Sequence, residues 1–134
     1  MADRTVADIY LAKASESWDG AESEFANARF NNCANRCYYS CFQAAIAALV
    51  RAGIAPSGRS AQWGHTFVQA QFAGALIGRR KLYASDLGSV LMDTLAFRQK
   101  ADYRNDNVTQ REAAQALQWT RRFVEAVQRG GDGR

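Results

Sequence analysis

Apolar residues recur at intervals of three and four positions along five successive stretches of this chain, and strand-like alternation is almost absent. That spacing places apolar side chains on one face of an α-helix. The single proline, Pro56, lies in the clearest turn of the sequence, between Gly53 and Gly58. We therefore predict an all-α fold, an antiparallel up-and-down bundle of about five helices with short connections.

The predicted helix ends follow from capping residues and turn residues. Asn31 or Asn32 is a plausible N-cap for the second helix, and Thr109 with Glu112 has the form of a capping box that opens the fifth. Gly130 and the glycine after it end that last helix. The predicted helices cover approximately residues 5–30, 31–52, 63–77, 85–103 and 109–130.

Composition sets broad limits on the class of protein. The chain has 134 residues, 48% hydrophobic and 22% charged, which fits one domain over 1–134 with a flexible tail from about residue 130. It contains no apolar run long enough for a membrane span and no signal-peptide layout at its start, so we expect a cytoplasmic protein that binds no membrane. The net charge of +4 permits contact with nucleic acid without demanding it.

Cysteines at every fourth position form a stripe on the second helix, at Cys33, Cys37 and Cys41. A metal site would need a fourth ligand or a Cys-x2-Cys pattern, so we predict small packing residues here. The sequence has no Gly-rich phosphate loop or zinc quartet, and His65 has no glutamate three residues before it. We therefore predict neither a cofactor nor a metal.

The end of the fourth helix places a cation, an acid and a phenol within about two turns, at Arg98, Asp102 and Tyr103. An aspartate in the last turn of a helix is disfavoured by the macrodipole, which points to a role other than packing. Metal-independent RNA cleavage would need a phosphate clamp, for which Arg98 is suited, and a proton acceptor or donor. His65 is the natural candidate for that acid or base, and Asp102 could orient the arginine.

Two segments of the sequence resemble HEPN domains. Arg98-Gln99-Lys100-Ala101-Asp102-Tyr103 is similar to the Arg-x-x-Ala-Asp-Tyr helix ending of one branch of small stand-alone members. The second helix resembles theirs in its paired tyrosines, and His65 stands where that branch has a histidine opening its third helix. The segment that carries the tyrosines is Asn35-Arg36-Cys37-Tyr38-Tyr39-Ser40-Cys41-Phe42-Gln43-Ala44-Ala45.

The resemblance covers roughly Ala28 to Val127 and implies a helical bundle that usually forms a homodimer. It also implies frequent pairing with a nucleotidyltransferase-type antitoxin and, in many members, RNA cleavage in toxin–antitoxin or defence systems. The arginine-x4-6-histidine motif of the nuclease members is absent here, and Gln43 stands where related domains often have a histidine.

Two functional interpretations remain open. The first is a protein that interacts with RNA or nucleotides, with ribonuclease toxin activity as its catalytic form. Its candidate catalytic residues are Arg98, Asp102, Tyr103 and His65, and its candidate RNA- or nucleotide-binding residues are Arg36, Tyr39 and Arg104. The second is a non-catalytic helical module that holds a homodimer or a nucleotidyltransferase-type partner, in which Arg98 and Asp102 form a helix-end salt bridge or part of an interface.

Overall fold

The computed structural model describes residues 5–58, 61–103 and 105–130, and these residues form the predicted all-α bundle. The described residues contain helices and connecting segments but no strand. The helices are α1 (Val6–Ala26), α2 (Phe30–Arg51), α3 (His65–Gln71), which continues as a π-helical segment (Phe72–Arg79), α4 (Asp86–Tyr103) and α5 (Gln110–Arg129).

Reciprocal capping boxes start the first and last helices. The Thr109 hydroxyl accepts from the backbone N–H of Glu112, and the Glu112 carboxylate accepts from the backbone N–H of Thr109. Thr5 and Asp8 make the same pair of bonds at the start of α1. The fifth helix ends at Gly130, whose φ of 88° lies in the left-handed region that favours glycine. The predicted start and end of this helix are confirmed, while the predicted tail beyond Gly130 lies outside the described residues.

The predicted boundary between the first two helices was wrong. Helix α1 ends at Ala26 rather than near Phe30, and α2 begins at Phe30 without a side-chain cap. Asn31 is therefore not an N-cap. Its side chain accepts from the backbone N–H of Val108 at 2.9 Å and donates to the side chain of Asn107 at 3.0 Å. These two bonds connect the first turn of α2 to the loop before α5.

The third helix also differs from its predicted form. It begins at His65, two residues later than expected, and its backbone widens into π-helical geometry from Phe72 to Arg79. The end of this segment is marked by a bond from the Arg80 N–H to the Ala75 carbonyl, five residues back, at 2.9 Å. Helix α4 then starts at Asp86, one residue after the predicted position.

Helix α2 is the central element and packs against α1, α4 and α5. Its apolar face contributes to a large core cluster that includes Tyr38 and Leu49, and its first turns contribute to a smaller one with Ala21 and Ala113. The three cysteines are fully buried free thiols within these clusters, as predicted for packing residues. None of the described helices has both the length and the apolar character needed to cross a bilayer.

Candidate functional site

Three helices bring polar side chains together around Arg98, near the end of α4. The Arg98 side chain is only 16% exposed. Its guanidinium carbon lies 5.3 Å from the ring centroid of Tyr39 and 5.9 Å from those of Tyr38 and Tyr103. A guanidinium at this distance from an aromatic face is stabilised electrostatically by the ring. Two tyrosines of α2 and the last residue of α4 therefore hold the Arg98 side chain in place.

The ion pair between Arg98 and Asp102 is loose. The Arg98 Nε lies 3.5 Å from the Asp102 Oδ2, one helical turn later, and Asn35 donates to the same oxygen at 3.1 Å. The Arg98 Nε is buried, yet the described residues supply no hydrogen bond to it. A buried donor without an acceptor is costly, and more so when it is charged. Asp102 therefore satisfies the Arg98 guanidinium only weakly.

His65 joins this group from the start of α3. Its Nδ1 makes a hydrogen bond with the hydroxyl of Tyr38, and the two ring centroids are 5.3 Å apart. The ring of Phe42, one turn further along α2, lies 5.1 Å from the imidazole. Because Tyr38 also contacts the Arg98 guanidinium through its ring, it connects the histidine to the arginine.

The electrostatics of the group keep both ring systems neutral near pH 7. Burial, followed by the positive charge of Arg98, lowers the pKa of His65 below its usual value of 6.5. Burial also raises the pKa of Tyr38, and the opposing effect of Arg98 is smaller. The site therefore presents one permanent cation, a neutral imidazole and tyrosine hydroxyls. We call this set the Arg98 cluster; its members are Asn35, Tyr38, Tyr39, His65, Arg98, Asp102 and Tyr103.

The structure brings together most of the residues that the sequence singled out. The Arg98 cluster contains five of these residues, namely Arg98, Asp102, Tyr103, His65 and Tyr39. Their proximity is a structural finding, and their functional roles remain predictions.

Two other candidate binding residues stand apart from that group. Arg36 is exposed on α2, and its side chain lies over α1, where a Cβ at Gly20 would be 3.8 Å from the Arg36 Cδ. The structure therefore does not place Arg36 among the contacts of the cluster. Arg104 lies outside the described residues.

Asn35 and Tyr38 were not selected as site residues from the sequence. Tyr38 falls on the apolar stripe of α2, and its ring is fully buried. Asn35 precedes it by three positions and shares its helix face, which was a usable signal for a polar residue beside the cluster. The partners of both side chains come from other helices, and spacing within α2 does not reveal them.

Residues 7–130 match the family model described as the HEPN domain. The chain belongs to the HEPN domain family. No curated protein matches its sequence. HEPN domains are helical bundles that commonly dimerise, and membership supports a nucleotide- or RNA-related function at the level of the family.

The site of this HEPN domain combines a guanidinium with imidazole, phenol and amide groups that can donate hydrogen bonds. Asp102 is the carboxylate within the Arg98 cluster. Within residues 5–58, 61–103 and 105–130, no group of three or more metal-ligating side chains is close enough to hold an ion. A guanidinium beside a neutral imidazole and several phenols can donate several hydrogen bonds to a phosphate.

Proposed function

We propose that this HEPN domain binds RNA or a nucleotide through a phosphate held at the Arg98 cluster. The observation that carries the proposal is the Arg98 guanidinium, which lies among three tyrosine rings and has only a loose ion pair to Asp102, at 3.5 Å. A guanidinium fork matches the geometry of phosphate, so a phosphate oxygen can compete with this loose pair. The three tyrosines that surround Arg98 limit its movement, which reduces the entropy lost when the ligand binds.

Tyr103 and Tyr39 provide aromatic surface beside the proposed phosphate position. Tyr103 is 74% exposed although its ring contacts the Arg98 guanidinium, and Tyr39 is half-buried. Aromatic side chains next to a cation are typical of sites that stack the bases of single-stranded nucleic acid. The ligand we propose is therefore a single-stranded RNA segment or a nucleotide, bound by its phosphate and one unpaired base.

Metal-independent RNA cleavage is the catalytic form of this proposal, as a ribonuclease toxin controlled by a nucleotidyltransferase-type partner. It is favoured by a neutral imidazole, His65, within electrostatic reach of Arg98. A neutral imidazole can accept the proton of a ribose 2′-hydroxyl if the nitrogen that faces the ligand has a free lone pair. The location of the single imidazole proton therefore decides between binding and cleavage.

A non-catalytic interaction module is the second candidate function, favoured by the outer face of α4. Met92 is 63% exposed and Tyr103 is 74% exposed, and the residues between them on that face, Ala96 and Gln99, are exposed as well. Exposed apolar residues along one helix face are suited to contact with a second copy or another protein. In this case the Arg98 cluster would stabilise an interface.

The two candidates are separated by comparing Arg98→Ala with Lys100→Ala. Both substitutions remove one positive charge from α4, but Lys100 is already bonded to Glu112. Loss of hydrogen bonds to a charged ligand group costs about 1.5–3 kcal/mol. We expect Arg98→Ala to weaken binding of a mixed-sequence single-stranded RNA roughly ten- to hundredfold, with Lys100→Ala near wild type. Fluorescence anisotropy at fixed salt measures the affinity.

Size-exclusion chromatography and RNA cleavage assays of the same variants complete the comparison. A variant that stays folded with unchanged assembly but loses RNA binding supports the proposal. Loss of dimers in Arg98→Ala, with RNA affinity equal to wild type, would instead establish the interaction module. Equal loss of affinity in both variants would mean that only net charge matters and would refute the specific phosphate site.

A further inference from the structure

One face of helix α2 is left uncovered by the bundle. Helices α1 and α4 both pack on α2, but within the described residues they do not contact each other. Between residues 33 and 49 of α2 all residues are buried except four that lie on this face, and Asn32 extends the row by one turn. We call this row the open face of α2; its members are Asn32, Asn35, Arg36, Tyr39 and Gln43.

The open face of α2 carries hydrogen-bond donors and one positive charge but no carboxylate. Three of its five side chains are amides, and the other two are Arg36 and Tyr39. A solvated helix face more commonly carries acids and bases at intervals of three or four positions. The lack of acids extends beyond the row, because residues 25–85 contain seven of the 17 Lys and Arg residues and no Asp or Glu. This surface is therefore complementary to a chain of phosphates.

Arg36 is the cation of the open face, and no acidic side chain pairs with it. Its side chain lies across α1 at Gly20, where a Cβ would be 3.8 Å from the Arg36 Cδ and 3.9 Å from one terminal nitrogen. The described residues provide neither a hydrogen bond nor an ion pair for this guanidinium. Contact with α1 restricts the stem of the side chain, so less entropy is lost when an anion binds.

The open face is continuous with the Arg98 cluster, because Asn35 and Tyr39 belong to both. Asn35 donates to Asp102 at 3.1 Å, and the Tyr39 ring centroid lies 5.3 Å from the Arg98 guanidinium carbon. Along α2, Arg36 is within one helical turn of Tyr39, a rise of about 5.4 Å. Phosphates bound at Arg98 and at Arg36 can therefore belong to nearby nucleotides of one strand.

We infer that the open face of α2 binds a second phosphate of the same single-stranded RNA, with Arg36 as its anchor. This rests on the proposed function, since the Arg98 cluster supplies the first phosphate position. Gln43, which is bonded to Ser17 of α1 at 2.8 Å, limits the face at one end. The amides of Asn32 and Asn35 offer donors and acceptors to the sugar or base edges of the strand. A mononucleotide occupies only the first position, whereas an oligonucleotide occupies both.

Two probes of different length separate the two phosphate positions. Uridine monophosphate carries one phosphate, and a uridine tetranucleotide extends beyond it. We expect Arg36→Ala to weaken binding of the tetranucleotide roughly three- to tenfold and to leave the mononucleotide unaffected. Arg121→Ala is the matched control, because it removes an exposed arginine of α5 that is paired with Glu125. Isothermal titration calorimetry measures the affinities.

The salt dependence of the tetranucleotide affinity gives a second readout. Each phosphate contact to a single strand contributes about 0.7 to the slope of log affinity against log salt concentration. We expect this slope to fall by about 0.7 in Arg36→Ala and to remain at the wild-type value in Arg121→Ala.

Gly20→Glu tests the same position without altering Arg36. The new carboxylate lies within reach of the Arg36 guanidinium and gives it a partner inside the protein. Tetranucleotide affinity should therefore fall at least as far as with Arg36→Ala. Gln118→Glu adds the same charge at an exposed position of α5 and should leave the affinity near wild type.

Three results would overturn the inference: wild-type affinity of Arg36→Ala for the tetranucleotide, an equal loss for both probes, or loss of dimers with unchanged RNA affinity. The last result would mean that the open face contacts a second copy. Arg98→Ala identifies a failure of the proposed function separately, because it should weaken both probes. If it weakens neither, the Arg98 phosphate site is refuted, while a loss in Arg36→Ala would still place RNA on the open face.

Discussion

Helix α4 carries two cations that are two positions apart, and their surroundings differ sharply. The Lys100 Nζ donates to both carboxylate oxygens of Glu112, at 2.9 Å and 3.1 Å, and lies 3.8 Å from the Asp106 carboxylate. The Arg98 Nε is 3.5 Å from Asp102 and has no hydrogen bond among the described residues. The ammonium of Lys100 is bonded to acidic side chains, whereas the guanidinium of Arg98 is enclosed by tyrosines and has only a loose ion pair.

The two acidic partners differ in the same way. Glu112 takes part in the capping box of α5, and the backbone N–H of Thr109, followed by Lys100, lowers its pKa. Asp102 sits at the unfavourable end of α4 and is held by a side-chain amide, that of Asn35. The Lys100 network therefore fastens α5 to α4, whereas the Arg98–Asp102 pair is loose. Under the proposed function, charged residues two positions apart on one helix serve structure and ligand binding separately.

The largest expected effect on stability comes from Glu112→Ala. This substitution removes the reciprocal bond of the capping box and both bonds from Lys100, so we expect a loss of about 1–2 kcal/mol in the free energy of unfolding. Asp102→Ala removes a loose ion pair, an exposed bond from Asn35 and a charge that opposes the helix macrodipole, and the net change in stability should be less than about 0.5 kcal/mol. Urea unfolding of both variants measures the difference.

Glu112→Gln serves as the matched control, because it retains the shape and one acceptor of the capping box. Its loss of stability should lie between those of the wild type and Glu112→Ala. If Asp102→Ala destabilised the protein as much as Glu112→Ala, the Arg98 network would be structural after all, and its role as a ligand site would lose support.

Tyr103→Ala tests whether the aromatic surface beside Arg98 takes part in the proposed RNA binding. An exposed tyrosine beside Arg98 contributes little to folding, but stacking of a base is worth about 1–3 kcal/mol. We expect roughly tenfold weaker binding of single-stranded RNA at unchanged stability, and near-normal binding for Tyr103→Phe. Affinity measured by fluorescence anisotropy, together with the thermal midpoint, gives both quantities.

Met92→Ala is the control for this variant because Met92 is similarly exposed on the same helix. Its RNA affinity should equal that of the wild type. A decrease in affinity with Met92→Ala as large as that with Tyr103→Ala would indicate a general effect of the α4 surface, and base stacking would then not explain the loss.

The sequence predicted those features whose interacting residues lie close together along the chain. The Thr109–Glu112 capping box and the Arg98–Asp102 pair join residues three and four positions apart, and both were predicted from spacing. Helical periodicity likewise predicted the bundle, since each helix buries one face. These features depend on local geometry that any α-helix shares.

Features that depend on tertiary contacts were not accessible in the same way. The sequence predicted Asn31 as an N-cap, but its side-chain oxygen accepts from the backbone N–H of Val108, 77 positions away. The bond between Tyr38 and His65 joins residues 27 positions apart, and the length of the intervening segment does not determine it. The π-helical geometry from Phe72 to Arg79 has no counterpart in the apolar spacing, which fits an ordinary α-helix equally well.

The smallest expected effects concern pH, and the two networks should respond in different ranges. The folded pKa of His65 is below its usual 6.5, so the unfolded chain binds the proton more readily, and stability falls as the pH decreases below about 6.5. The folded pKa of Glu112 is below its usual 4.5, so its contribution is complete above that value and is lost as the pH falls further. Acidification should therefore destabilise the protein in two steps.

Thermal midpoints across this pH range, for His65→Gln and Glu112→Gln, assign each step to its network. The first substitution should flatten the profile just below about pH 6.5, because the chain contains no other histidine. The second should flatten it only below about pH 4.5. A His65→Gln profile that followed the wild type throughout would show that the imidazole has the same pKa in the folded and unfolded chain. That result would contradict the lowering of the His65 pKa by desolvation and by the charge of Arg98.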